Sequence, residues 1–242
     1  MTIFRTFIES LINFLFPYQC LRCGKILDSA GYLCESCVEE INFIKPPYCH
    51  KCGHPLQEEN INKKMLCAGC LKNKRSFYRL SRSAVIYDNS SKNIILSFKF
   101  FDQTENANLL SAMIKIAGKD IFAEGVDLII PVPLHYTRLI KRKYNQSALL
   151  AQKLSKMTAV PYNNLVLIRS RKTKPQVEVS GKERITNVKN AFGVKNPQFI
   201  KGKRIVLIDD IMTTGSTVKE CALVLKKAGA KSIDILTIAR TV

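Results

Sequence analysis

Residues 206–217 read Val206-Leu207-Ile208-Asp209-Asp210-Ile211-Met212-Thr213-Thr214-Gly215-Ser216-Thr217. The unbroken aliphatic run from Ile205 to Ile208 predicts a strand covered on both faces, as in a parallel sheet. Asp209 and Asp210 would close that strand at its carboxyl end, where open α/β sheets bind ligands. Two adjacent acceptors there suit a pair of vicinal sugar hydroxyls, each of which is a donor. The turn Thr213, Thr214, Gly215, Ser216, Thr217 is predicted to open a helix. Its backbone N–H groups and hydroxyls then suit a phosphate, and Gly215 permits close approach or a positive φ. The order of the parts points to a phosphorylated sugar. The competing reading is an ordinary strand-to-helix turn with Ser216 as N-cap; Asp-Asp alone fits it equally well, but the whole ordered run fits it poorly.

Working outward, a helix is predicted over Ser216–Ala228 and a last strand over Ile233–Ile238. Upstream, Ser83–Tyr87 reads as a strand, Lys92–Phe101 and Asn106–Ala117 as helices, and Leu128–Val132 as a second apolar strand ending at Pro131 and Pro133. Tyr144–Met157 reads as a helix, and Leu165–Ile168 and Ala191–Val194 as strands. Between those two strands, Arg169–Asn187 is polar, basic and aperiodic, and is expected to form a mobile loop or lid. Strands alternating with helices predict an α/β fold, a parallel sheet with helices on both faces. Cys221 shares helical spacing with Val218, Ala222 and Leu225, which makes it a small core residue.

The 242 residues suit one large domain with a small appendage. The formal charge is +19, and it is concentrated. Between Arg138 and Lys189 there are thirteen Lys or Arg against Glu178 and Glu183, a local excess of +11. Such a stretch favours a polyanionic partner, either the phosphates of a small ligand or a nucleic acid, over a merely solvated basic face. In the first residues, Phe4, Phe7, Ile8, Leu11, Ile12 and Leu15 recur at helical spacing, so residues 1–18 read as an amphipathic helix docked on the body. Charged and polar interruptions make it too short to span a bilayer. No export signal is evident, which places the chain in the cytoplasm.

Eight of the nine cysteines form four Cys-x-x-Cys pairs. In a reducing compartment this spacing indicates zinc rather than disulfides. Two pairs complete one tetrahedral thiolate site. Glycine follows Cys23 and Cys52, the last residues of the first and third pairs, which suggests a duplication and hence sequential assignment. One zinc would take Cys20, Cys23, Cys34 and Cys37, and a second Cys49, Cys52, Cys67 and Cys70; interleaved pairing and single occupancy are the alternatives. With four sulfurs per ion, no position is left for water and the sites are structural. A segment of few large apolar side chains needs such staples. His50 and His54 are left out of the ligand sets.

The 206–217 stretch resembles the phosphoribosyl-pyrophosphate (PRPP) signature of type I phosphoribosyltransferases: an aliphatic run, Asp-Asp, two variable residues, then Thr-Thr-Gly-x-Thr. The whole chain resembles the ComF (GntX-like) competence family. The marks are Cys20-Leu21-Arg22-Cys23-Gly24, Ile130-Pro131-Val132-Pro133-Leu134-His135, Arg138, Arg142 and Tyr144-Asn145-Gln146-Ser147. Thr173, Gln176, Arg184, Asn187 and Ala191-Phe192 continue the pattern. Lys143 departs from it where glycine is common, and Val179 where leucine is common.

The resemblance implies a double zinc ribbon over residues 19–75 and a phosphoribosyltransferase-like domain over residues 76–242. It implies that Asp209 and Asp210 hold the ribose hydroxyls at the catalytic centre and that Thr213, Thr214, Gly215, Ser216 and Thr217 hold the 5′-phosphate. Pro133, Leu134 and His135 would cradle pyrophosphate, Arg171, Lys172, Lys174 and Arg184 would close the lid, and Mg²⁺ would accompany PRPP. It further implies a role in natural transformation, handling single-stranded DNA beside other competence proteins. A phosphoribosyltransferase with its own acceptor, and a PRPP sensor without turnover, are the alternative functions.

Overall fold

The computed structural model describes residues 17–57, 65–72, 77–100, 106–171, 186 and 188–242. The expected N-terminal helix therefore lies outside the described residues except at Pro17 and Tyr18, and so does the lid except at its ends.

Helices α1 (Glu35–Glu40) and α2 (Ala68–Lys72) belong to the cysteine-rich segment. Strand β1 (Ser81–Ile86) follows, then α3 (Asn89–Phe100), α4 (Asn106–Ala117), α5 (Lys119–Ala123) and β2 (Leu128–Pro131). Next come α6 (Tyr136–Arg142), α7 (Gln146–Thr158), β3 (Leu167–Arg169), β4 (Phe192–Val194), β5 (Arg204–Met212), α8 (Ser216–Lys227) and β6 (Ser232–Arg240). Strands β1, β6, β5 and β2 form one sheet in that spatial order, all parallel. Its alternating side chains divide the core in two. Ile129, Val206, Ile208, Leu236 and Ile238 meet α3, α4, α5 and α7 on one face. Ile130, Ile205, Leu207, Ile233 and Ile235 meet α8 and the β3–β4 pair on the other. Both layers are dry, as the continuous aliphatic strands require.

The winding of the chain locates the crevice. From β1 to β2 the connection runs over the first face, and α7 continues in the same direction until Tyr162 pairs parallel with Ile129 beyond β2. The chain then returns over the second face, through β3 and β4 to β5 and through α8 to β6. Leaving their carboxyl ends, β2 and β5 are neighbours whose connections depart to opposite faces. That divergence opens a cleft between them, the topological switch point of an open sheet.

The outer edge of β1 is closed by the cysteine-rich segment. Phe43 bridges Val85, Ile44 N donates to Ala84 O at 2.9 Å, and Ile86 N donates to Asn42 O at 2.9 Å. An edge that would otherwise offer free ladder groups is thereby covered. The second cysteine group docks through Lys51 O, which accepts from Ser81 N at 2.8 Å. Gly53 has φ +66°, and a Cβ there would stand 2.7 Å from Ser81 O. Gly53→Ala is therefore expected to cost more than about 1 kcal/mol and to lower Tm. Gly24→Ala is the control: its φ is +77° but it has open space around it. Equal Tm losses in thermal denaturation would show that the close approach contributes nothing.

Several boundaries differ from expectation for local reasons. The predicted Leu165–Ile168 strand begins at Leu167, because Asn163 Oδ1 accepts from Leu165 N and Val166 N at 2.9 and 3.1 Å and holds a turn there. It pairs antiparallel with β4, outside the main sheet. Helix α7 starts at Gln146 because the Asn145 side chain caps it, accepting from Ser147 N at 3.1 Å. Helix α6 was not expected; Lys143 closes it at φ +64°, the backbone geometry that glycine adopts without strain.

Candidate functional site

The site is built where β2 stops short of β5. Pro131 pairs with Ile208, and Val132 N donates to Ile208 O at 2.8 Å, so Asp209 is the first β5 residue past its neighbour's end. The β5–β6 ladder meanwhile continues, with Asp209 opposite Thr237 and Met212 opposite Arg240. The carboxylates thus lie inside β5, which runs on to Met212, rather than at its carboxyl end, a correction to the sequence reading. They are terminal only on the side facing the crevice.

Local bonds fix both side chains. Asp209 Oδ1 accepts from Asp210 N at 2.9 Å and from Ser147 Oγ at 3.2 Å, and Asp210 Oδ1 accepts from Ile211 N at 2.6 Å. The same α7 start ties back to β2, since Asn145 Nδ2 donates to Val132 O at 3.1 Å. One short polar network therefore joins the ends of β2, β5 and α7. Asp209 then borders a pocket with Ile211, Met212, Thr213, Gly215, Ser216, Thr217 and Val218.

The N-cap of α8 is Gly215 at φ +70°, not Ser216. Ser216 is instead the first helical residue, its amide near Thr214 Oγ1 at 3.4 Å. The turn thus opens a twelve-residue helix whose first residues, Ser216, Thr217 and Val218, line the pocket. A helix start of this kind suits an anion.

Of the other expected site residues, Pro133, Leu134 and His135 form the turn from β2 into α6. His135 is buried and caps α6: its Nδ1 lies 2.9 Å from Thr137 Oγ1, and its ring sits 4.4 Å from that of Tyr136. Arg171 Nη2 donates to Lys189 O at 2.7 Å, joining the chain on either side of the undescribed stretch. Lys172, Lys174 and Arg184 lie outside the described residues. Cys221 is fully buried in α8, where burial, and Asp209 nearby, push its thiol well above the ordinary value. It is a core residue, as its spacing indicated.

Arg169, at the end of β3, carried no sequence signal. Its guanidinium lies 5.1 Å over the Phe192 ring. Burial, with repulsion from Arg138, lowers it to about 10, while Asp209 favours its charge. Arg169 thus lies within electrostatic reach of both Arg138 and Asp209, and an anionic ligand near the two arginines would relieve their repulsion. The returning stem is fastened to α8, with Asn190 N donating to Glu220 Oε1 at 2.8 Å. Ser147 and Asn145 were visible only as part of a motif without assigned roles, and Met212 only as one of the two variable residues of the signature.

The cysteines gather as the sequence order indicated. Sulfurs of Cys20, Cys23, Cys34 and Cys37 lie within 4.8 Å of one another, as do those of Cys49, Cys52, Cys67 and Cys70. Both sets fit structural zinc. In the first, a hydrogen bond from the Ser36 hydroxyl, 3.3 Å away, lowers the Cys34 thiol to about 6, which favours the thiolate that binds metal. Neither His50 nor His54 joins a cluster; His54 Nδ1 lies 3.3 Å from Arg240 Nη2. Among the described residues, no helix is long and apolar enough to cross a membrane.

Comparison with known proteins agrees with this architecture. A double zinc ribbon domain matches residues 11–72, and a phosphoribosyl transferase domain matches residues 144–241. The chain is 33% identical to Competence protein F of Haemophilus influenzae, over 95% of this chain and 100% of that one. It is 32% identical to the DNA utilization protein YhgH of Escherichia coli K12, over 93% and 98%. It is 27% identical to Competence protein ComFC of Bacillus subtilis, over 86% and 84%. With two four-cysteine clusters leading into a parallel sheet of phosphoribosyltransferase type, the chain belongs to the ComF (GntX-like) competence family.

Proposed function

We propose that this protein binds PRPP at the β2–β5 crevice and acts on incoming single-stranded DNA, or beside it, in the cytoplasm during natural transformation. The observation that supports the ligand assignment is that Asp209, followed directly by Asp210, lines one pocket with the Gly215-capped start of α8. The carboxylates would take the two ribose hydroxyls, and residues 213–217 the 5′-phosphate. Pro133, Leu134 and His135 would supply the pyrophosphate side of the crevice, with Arg171, Lys172, Lys174 and Arg184 closing above it. The carboxylate pair suits Mg²⁺ carried in with the diphosphate, an ion that keeps most of its coordination from ligand and water.

If turnover occurs, an acceptor nucleophile bonds to the anomeric carbon as the bond to pyrophosphate breaks. The protein's part is to orient the ribose, neutralise the departing charge and exclude water. In the same reading, residues 19–75 are the double zinc ribbon and 76–242 the phosphoribosyl-binding domain. The names of the relatives support the DNA role, and so does the +11 charge excess between Arg138 and Lys189.

Pyrophosphate release from PRPP, measured with and without single-stranded DNA, tests the reading. Release that DNA stimulates is expected for an enzyme acting with DNA. Calorimetric PRPP binding without release would assign a sensor. No PRPP binding would overturn the ligand assignment.

A further inference from the structure

Helix α6 has a composition that neither the core nor the crevice explains. It follows the pyrophosphate-side turn directly, with His135 as its cap. Tyr136, Leu139 and Ile140 lie at helical spacing on one face and are 66%, 42% and 77% exposed. Lys143 continues that face by a turn. Arg142 flanks it beside Leu139, its Nη1 donating to Gln146 Oε1 at 3.3 Å, while Arg138, a turn earlier and further round the helix, acts on Arg169. No Asp or Glu occurs between Asp127 and Glu178 in the sequence, against ten Lys or Arg.

Charge selects the occupant. A second copy of the chain placed symmetrically would bring the same arginines against these. A duplex would offer phosphates but keep its bases stacked, leaving the exposed ring without a partner. An unpaired strand supplies both halves, phosphates for the cations and base faces for Tyr136. We propose that the Tyr136–Leu139–Ile140 face of α6, flanked by Arg142 and Lys143, is the contact surface for single-stranded DNA and holds the strand at the mouth of the phosphoribosyl crevice. This rests on the DNA reading above and deepens it.

Fluorescence anisotropy of the full-length protein with an oligo(dT) probe, over a salt series, tests the surface. Tyr136→Ala is expected to weaken binding about 5- to 100-fold while leaving the slope of log K against log salt unchanged, since no phosphate contact is lost. Tyr136→Phe should bind as the unaltered protein does. Arg142→Gln should reduce the magnitude of that slope by about one. Ile140→Ser, with PRPP affinity as a check on folding, serves if Tyr136→Ala misfolds. Binding by Tyr136→Ala and Ile140→Ser equal to that of the unaltered protein would overturn the surface alone. Failure of the unaltered protein to bind the probe at low salt would overturn the DNA reading with it. A dimer that Tyr136→Ala dissociates would give the face to a second copy and likewise overturn the proposal.

Discussion

Asp209→Asn combined with Asp210→Asn is expected to abolish PRPP binding and leave the protein folded. Each carboxylate would accept a charge-assisted hydrogen bond from a ribose hydroxyl, worth about 1.5–3 kcal/mol against an unmade bond. Losing both should lower affinity by at least about two orders of magnitude. The fold should tolerate the exchange because an amide oxygen can still accept the bonds the carboxylates accept now: Asp210 N and Ser147 Oγ at Asp209, and Ile211 N at Asp210. Calorimetry should then show loss of binding at nearly constant Tm. Retained affinity would remove the carboxylates from the site. A large fall in Tm would show that they hold the crevice together instead.

How far the sequence disclosed this site depended on the range of the interactions. The β5 run, the Asp-Asp pair and the helix after Gly215 are local patterns, and they appear where expected, apart from the strand's longer course. Its extension to Met212 depends on a partner, since the β5–β6 ladder reaches Arg240 while β2 ends at Pro131. No reading of 206–217 alone contains that difference. The crevice itself arises from connections leaving β2 and β5 on opposite faces, a property of the whole chain. Helix α6 was missed because its seven residues carry an exposed apolar face with no periodic core stripe. Arg169 was missed because it sat at the start of a basic run, where nothing distinguished it from solvated neighbours. Only the packing of β3 over Phe192 sets it apart. The cysteine pairing was legible because ligand spacing is itself local.

The second cysteine cluster should matter more to the whole protein than the first, and Cys52→Ser against Cys23→Ser measures the difference. Metal analysis should find about two zincs in the unaltered protein and one in each variant. Structural zinc contributes about 10–16 kcal/mol to small zinc-binding peptides, so either loss should unfold its own ribbon. The consequences beyond the ribbon differ. Cys23 is exposed, and among the described residues the first cluster packs with Leu27 and Leu33; Arg22 Nε donating to Ser90 O is one of its ties to the body. The second cluster carries backbone on which buried cations depend. Arg240, at the end of β6, donates to Cys52 O and meets His54, and Arg82 lies 5.0 Å over the Tyr48 ring. Unfolding this ribbon strips Arg240 of both contacts, and removing the partners of a buried charge costs about 3–5 kcal/mol, whereas Arg82 keeps Asp120, 2.8 Å away, and loses only the ring. Acid should act in the same direction. Burial and Arg240 hold His54 below its usual value, so protonation favours the unfolded chain, and stability falls as pH drops through the ordinary histidine range near about 6.5. Because Arg240 pairs with Met212, which lines the pocket, Cys52→Ser should also weaken PRPP binding while Cys23→Ser should not. Equal losses of Tm and of PRPP affinity in the two variants would show that the second ribbon holds no special place in the sheet.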